Sequence, residues 1–170
     1  MVREANAKVA TLIVSVIVIT LSAFNIDVDK VGICVDSSVY ARLFYSFFHA
    51  SIFHAIANSW CLLSLVFMYD VPMWKLVLAY IISVTFPVNS ISCVDATLYA
   101  PTVGLSAICF AIMGLLAFSV KRKMYFALWV SIFILIGLVL PKVNGIIHLY
   151  CYMVGAVFGF LNMPINDKAD

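Results

Sequence analysis

Val103-Gly104-Leu105-Ser106-Ala107 is the stretch that decides the fold, because it stands where a polar loop turns into an apolar run. The whole chain has 170 residues, of which 65% are hydrophobic and 11% are charged, and its mean hydropathy is +1.14. A soluble domain has roughly 45–50% apolar and about 25% charged residues. A chain of this length has too little interior for so much apolar surface, which predicts that a lipid bilayer surrounds it.

Six apolar runs approach the length of a membrane span, which needs about 20 residues within a range of roughly 17–25. They lie at about residues 9–24, 51–69, 73–88, 103–120, 124–140 and 144–161. Pro72 suits the first turn of the third helix, and Pro87 is expected to end or kink that helix. We therefore predict an all-α, multi-pass membrane protein whose six helices form one domain over residues 1–170.

The distribution of basic residues predicts the orientation. With the N-terminus inside, the inner segments hold Arg3, Lys8, Lys75, Lys121, Arg122, Lys123 and Lys168. The outer segments then hold Lys30, Arg42 and Lys142, which completes the ten basic residues of the chain. Because lysine and arginine concentrate on the cytoplasmic side, both termini are predicted to be cytoplasmic. Basic residues are scattered and the net charge is +2, so no nucleic-acid partner is expected.

Five cysteines are present without a C-x-x-C pair, so we expect neither a zinc site nor another metal or cofactor. Cys34 and Cys93 fall in two loops on the predicted outer side. A disulfide between them in an oxidising compartment stays an open alternative to two free thiols.

Polar side chains inside a bilayer are costly and tend to serve a function. Ser106 lies about three residues into the fourth run and His148 about four into the sixth. At 1.5 Å per residue, both lie roughly 5 Å below the outer loop. Their shared depth predicts that Ser106 is a nucleophile with His148 as its general base. Taken singly, a membrane serine often only bonds its own helix, and a histidine is often structural.

Two further features place other groups at this level. His54 and Asn58 are four residues apart, so they share a helix face and are candidate oxyanion donors beside the Ser106 N–H. His49 is expected at the mouth of that helix. Small residues predict a close approach of the fourth and sixth helices, which would let Phe110 pack on the His148 ring; they are Gly104, Gly114, Cys151, Gly155 and Gly159.

Three motifs of the sequence resemble the signatures of a single family. Arg42 followed by His49, His54 and Asn58, in the pattern H-x4-H-x3-N, resembles the first-loop and second-helix signature of the rhomboid family. Gly104-Leu105-Ser106-Ala107 resembles its G-x-S-G/A serine motif. Asn144-Gly145-Ile146-Ile147-His148, with Gly155 seven residues on, resembles its final histidine helix. The resemblance covers the second to sixth helices, and the three motifs in this order are specific.

The resemblance implies an intramembrane serine protease of six helices in a bacterial-type inner membrane. It implies a dyad of Ser106 and His148 without a third carboxylate, an oxyanion hole lined by His54 and Asn58, and an Arg42 that braces the first loop. Its substrates would be transmembrane segments that enter sideways and are cut near the outer face. A catalytically inactive relative that binds such segments for quality control is the alternative, whereas a small channel or transporter has little support.

Four features depart from the family pattern. Ala107 stands where a glycine is commoner, Cys151 replaces a glycine one turn after His148, and Ala41 stands where a tryptophan is usual. One residue is missing between Arg42 and His49 relative to some members. These departures concern packing and substrate range rather than the dyad.

Overall fold

The structure, a computed structural model, describes residues 2–24, 26–93, 96–140 and 143–162. Its helices are α1 (Val2–Ser22), α2 (Val28–Val31), α3 (Val39–Phe44), α4 (Ile52–Met68), α5 (Met73–Val84), α6 (Val88–Ile91), α7 (Ser106–Leu116), α8 (Lys123–Val139) and α9 (Gly145–Leu161). Single 3-10 turns lie at Tyr45–Phe47 and Ala96–Tyr99. Lys142 and Lys168, which enter the predicted orientation, lie outside the described residues, as do Asp95 and Pro141.

The six predicted runs each contain a helix, and capping residues set where several of them begin. Ser51 precedes α4, and its hydroxyl accepts a hydrogen bond from the His54 N–H at 3.2 Å. Asn144 precedes α9, and its Oδ1 accepts from the Ile147 N–H at 3.3 Å. Such caps satisfy donors that a helix leaves free in its first turn. The positions of α4 and α9 are therefore fixed by local polar residues as well as by hydropathy.

Two helices are shorter than the runs predicted. The third run was expected to stay helical to residue 88, but α5 ends at Val84 and α6 starts anew at Val88, because Pro87 has no N–H to continue the ladder. The fourth run was expected to be helical over 103–120, but α7 spans only Ser106–Leu116. Ser106 is thus the first residue of its helix and not the third or fourth.

Helix α7 forms the centre of the fold. Nine of its 11 residues are buried, and it packs against α4, α5 and α9. Helix α1 covers α4 and α5 from outside, and α8 packs against α9. A Cβ on Gly114 would collide with the Tyr152 backbone, and a Cβ on Gly155 would collide with the Ala111 backbone. The glycines therefore let α7 and α9 approach at backbone distance, which holds their side chains in fixed register.

The exterior of the bundle is apolar. Trp60 is 72% exposed and Met124 is 85% exposed, among many other large apolar side chains. Such a surface is unusual for a soluble monomer. By length and composition, the described helices include one that would cross a bilayer alone, Ala5–Ser22. Val39–Phe47 with Ile52–Met68 would add a second as a pair bent by 78°. The other apolar helices, of 10–17 residues, are shorter than a typical single span.

The segment between α1 and α4 is tied directly to the residues before Ser106. Ile33 and Thr102 exchange two backbone hydrogen bonds of 2.9 and 3.0 Å. Tyr45 is buried, its hydroxyl donates to the Ser83 carbonyl at 3.1 Å, and its own carbonyl accepts from the Gly104 N–H at 3.1 Å. This segment therefore fixes the turn that leads into α7. All five cysteines are free thiols, Cys34 and Cys93 included.

Candidate active site

Gly104 sets the position of Ser106. It has a φ of +126°, a backbone conformation that favours glycine. A Cβ on this residue would lie 3.0 Å from Asn58 Nδ2 and 3.0 Å from His54 Cε1, which is tighter than ordinary side-chain contact. The turn therefore needs glycine both for its conformation and for its closeness to α4. The chain then enters α7 with Ser106 as the first helical residue.

Ser106 and His148 are in hydrogen-bond contact, with 2.8 Å between Ser106 Oγ and His148 Nε2. The imidazole of His148 is 8% exposed and stacks on Phe110, with ring centroids 4.4 Å apart and planes 20° apart. His148 Nδ1 has no hydrogen-bond partner among the described residues, and it lies 3.1 Å from where a Cβ on Gly137 would be. The pair is thus held by stacking and packing, without a carboxylate on the second ring nitrogen.

The loop before α7 is also bonded to the start of α9. Asn144 Nδ2 donates to Thr102 Oγ1 at 3.2 Å, while Asn144 Oδ1 caps α9. Thr102 is in turn paired with Ile33. The two segments that carry Ser106 and His148 are therefore joined just outside their helices as well as along them.

His49 binds the opposite side of the same turn. Its Nε2 accepts from the Leu105 N–H at 3.3 Å and lies 3.1 Å from Asn58 Nδ2. Because Leu105 can only donate, Nε2 is the acceptor and the proton of the neutral ring is on Nδ1. The His49 ring is 7% exposed and meets the His54 ring edge to face at 4.9 Å. His49 thus links the helix that carries Asn58 to the turn that carries Ser106.

A cleft of about 460 Å³ lies in front of these groups. His54 and Asn58 line it from α4, Ser106 from α7 and His148 from α9, and α8 supplies the facing wall with residues such as Phe133. Its other lining residues are mostly apolar. The arrangement is a polar strip of a hydroxyl, two imidazoles and an amide in an apolar cleft, which suits an extended segment of peptide backbone.

The predicted site residues divide between the cleft and its surroundings. His49 and Gly104 lie directly behind the lining, whereas Arg42 lies away from it and donates from Nη2 to Asn89 Oδ1 at 2.9 Å. The sequence predicts His49 at a helix mouth, but no local pattern signals its bond to Leu105. Cys61 and Cys109 also line the cleft, and no sequence pattern pointed to that position. Among the described residues, no three His, Cys, Asp or Glu side chains are grouped to hold a metal ion.

A scan against family models matches the Rhomboid domain over residues 36–165, which includes the cleft and all three motifs. No curated protein matches the chain. No solved structure matches it either. Members of the matched family are membrane proteins, in general serine proteases that act on transmembrane substrates. The match covers well over half of the chain and confirms the resemblance seen in the sequence. The chain belongs to the rhomboid family.

Proposed function

We propose that this chain is an active intramembrane serine endopeptidase with Ser106 as nucleophile and His148 as general base and then general acid. The observation that carries the proposal is the 2.8 Å separation of Ser106 Oγ and His148 Nε2 on the wall of an apolar cleft. A nucleophile and its base within hydrogen-bond reach are the signature of covalent catalysis. The match to the family supports the same reading at the level of the reaction class.

The chemistry follows the usual course of acyl transfer. His148 Nε2 takes the proton of Ser106 while Oγ attacks the scissile carbonyl carbon, which forms a tetrahedral oxyanion. The imidazolium then gives its proton to the amine of the leaving half, and the C–N bond breaks to leave an ester on Ser106. Water, deprotonated by the same nitrogen, hydrolyses that ester. Stacking on Phe110 keeps the ring aligned through these steps, in the place of an orienting carboxylate.

Donors for the oxyanion are available on one side of the cleft. The Ser106 N–H belongs to the first turn of α7, where backbone donors have no partner within the helix. Asn58 has two amide hydrogens, and one of them is directed to His49 Nε2 at 3.1 Å. The second hydrogen is left for the substrate oxygen, and His54 adds a ring nitrogen to the same wall. We assign Asn58 and His54 to the oxyanion hole.

The proposal includes a membrane topology. The six longest helices, α1, α4, α5, α7, α8 and α9, belong to six membrane-spanning segments, with both termini cytoplasmic and the cleft near the outer face. Helices α4 and α8 form facing walls of the cleft. A transmembrane substrate therefore enters sideways between α4 and α8 and unfolds near the outer face to expose its backbone. The chain resides in a bacterial-type inner membrane, where its partners are other membrane proteins.

The test uses the full chain purified in detergent and a model transmembrane substrate. Ser106→Ala is expected to abolish cleavage, with a loss of at least about 10⁴-fold, because the nucleophile is gone. Ser22→Ala, which removes the same hydroxyl at the end of α1 and outside the cleft, is the matched control and should cleave at the unaltered rate. Cleavage by Ser106→Ala at the rate of the unaltered chain would contradict the proposal.

A second measurement separates the protease from an inactive relative that binds transmembrane segments. A fluorophosphonate reacts only with an activated serine, so labelling that maps to Ser106 and is lost in Ser106→Ala supports the enzyme. A folded sample that neither labels nor cleaves, yet retains a transmembrane peptide on a column, identifies the binder instead.

A further inference from the structure

A second cavity, of about 620 Å³, lies at the opposite end of α4 and α7 from the proposed active site. Its walls are the end of α4 at Met68 and Tyr69, the connection over residues 119–122, and the first turns of α8. None of its lining residues is shared with the cleft that contains Ser106. The proposed proteolysis therefore gives this cavity no role.

The cavity is positively charged. Lys121 and Arg122 line it, and none of the lining residues is acidic. Asp70 follows Tyr69 in the chain, but its carboxylate is bonded to Lys8 at 2.5 Å. Within the described residues, neither Lys121 nor Arg122 takes part in an ion pair. The two cations consequently have no internal counter-charge, and a bound anion would supply one.

The start of α8 adds backbone donors to these cations. Arg122 is the N-cap of this 17-residue helix, and no side chain caps its first N–H groups. Lys123 opens the helix, so basic residues stand where the positive end of the helix dipole favours acidic ones. This arrangement is unfavourable in the free protein and becomes favourable when an anion sits at the helix end. The cavity and the start of α8 thus both favour an anionic ligand.

Aromatic side chains extend from the cavity along the outside of α8. The rings of Tyr125 and Trp129 are 6.2 Å apart. Those of Trp129 and Phe133 are also 6.2 Å apart, so the row of rings ends at a residue that lines the cleft with Ser106. All three side chains are between 45% and 59% exposed. A ladder of half-exposed rings that starts at a basic cavity matches a molecule with an anionic head and an apolar chain. We propose that the cavity binds the phosphate of an anionic phospholipid, with an acyl chain along this face of α8.

The experiment uses Trp129 as a reporter, because it lines the cavity and the chain has only 3 tryptophans. The full chain with Trp60→Phe and Trp74→Phe is placed in phosphatidylcholine nanodiscs. In one series the nanodiscs contain rising fractions of brominated phosphatidylglycerol, and in the other they contain rising fractions of brominated phosphatidylcholine. Bromine on the acyl chains quenches tryptophan fluorescence. We expect half-maximal quenching of Trp129 at a lipid fraction at least about fivefold lower for the anionic lipid than for phosphatidylcholine. Each basic residue near the surface strengthens the binding of an anionic lipid by about that factor.

Arg122→Gln should reduce this preference about fivefold. Lys30→Gln is the matched control, because it removes one exposed cation that is outside the cavity and bonded to Asp27. Equal quenching by both lipids, or an equal effect of the two substitutions, would refute a specific site. Relief of quenching by millimolar inorganic phosphate would identify a free-anion site and overturn the lipid assignment. If the reporter variant does not fold, native mass spectrometry of the unaltered chain with the same two lipids decides by their relative occupancy.

Discussion

Gly155→Ala tests whether the backbone approach of α7 and α9 holds Ser106 and His148 together. The added Cβ would overlap the carbonyl oxygen of Ala111 and lie 3.2 Å from its carbonyl carbon. Both atoms belong to a helical backbone in a close-packed interior, so neither can move aside unless a helix moves. His148 is on the same face of α9, two turns earlier. A shift of α9 would therefore act on the hydrogen bond between His148 Nε2 and Ser106 Oγ.

The size of the effect follows from two opposed contributions. Alanine is favoured over glycine in a helix by about 1 kcal/mol. Overpacking of a filled interior costs about 1–3 kcal/mol. The free energy of unfolding should thus fall by up to about 2 kcal/mol, which leaves the fold intact. Removal of the overlap needs a shift near 1 Å, and a misplacement of about 1 Å can cost about 100-fold in rate.

Steady-state cleavage of the model substrate in detergent measures this change, together with the rate of fluorophosphonate labelling. We expect kcat to fall about 10–100-fold with a smaller change in KM, since the cleft itself is unaltered. Val157→Ile is the matched control, because it also adds one carbon to α9 but at a position 56% exposed on the outer face. If Gly155→Ala cleaves and labels as fast as Val157→Ile, the approach of the two helices does not set the geometry of the dyad.

Substitutions at three further positions test single contacts of the site. Asn58→Ala should lower kcat about 10–1000-fold in an intact fold, as expected for a lost oxyanion donor, and an unchanged kcat would remove Asn58 from that role. His49→Ala should lower the free energy of unfolding by about 1–3 kcal/mol, measured by thermal denaturation, because the Leu105 N–H loses its acceptor. His49→Gln, which keeps an acceptor, should recover part of that loss if the bond matters. Phe110→Leu should slow cleavage up to about tenfold, the value of one stacked ring pair, and should leave KM unchanged.

Much of the fold could be predicted because the apolar runs of the sequence coincide with its longest helices. Runs of apolar residues located the long helices, and the all-helical class is confirmed, as is the family. The ends were harder to predict. Ser51 and Asn144 are readable caps, but the start of α7 depends on Gly104, whose conformation is set by its contact with His54 and Asn58 on another helix. Hydropathy does not reveal such a contact, so the apolar run predicted three helical residues too many before Ser106.

The candidate site was predictable to the extent that the distance from the start of an apolar run orders residues along one axis. Ser106 and His148 were paired by their expected depth, and the distance between them is 2.8 Å. Phe110 was expected to pack on His148 because it is one turn below Ser106 and because small residues predicted a close approach of the two helices, and the rings are stacked. The hydrogen bond from the Leu105 N–H to His49 could not be predicted in this way, because it depends on the direction in which the N–H of one turn points. Contacts made by turns could be found only in the folded structure, whereas contacts between side chains on helices could be predicted from the sequence.

The packing of α7 against α9 explains why two departures from the family pattern are tolerated at this buried interface. Ala107 is 1% exposed and Cys151 is fully buried, so both larger side chains are accommodated at the end of α7 and α9 that carries the dyad. The tightest approaches lie farther along, where Gly114 meets the Tyr152 backbone and Gly155 meets the Ala111 backbone. Glycine is therefore required there, about two turns from the site, and a methyl or thiol group is tolerated nearer to Ser106. The helices are held together below the site, and this leaves room at positions 107 and 151 for side chains larger than glycine.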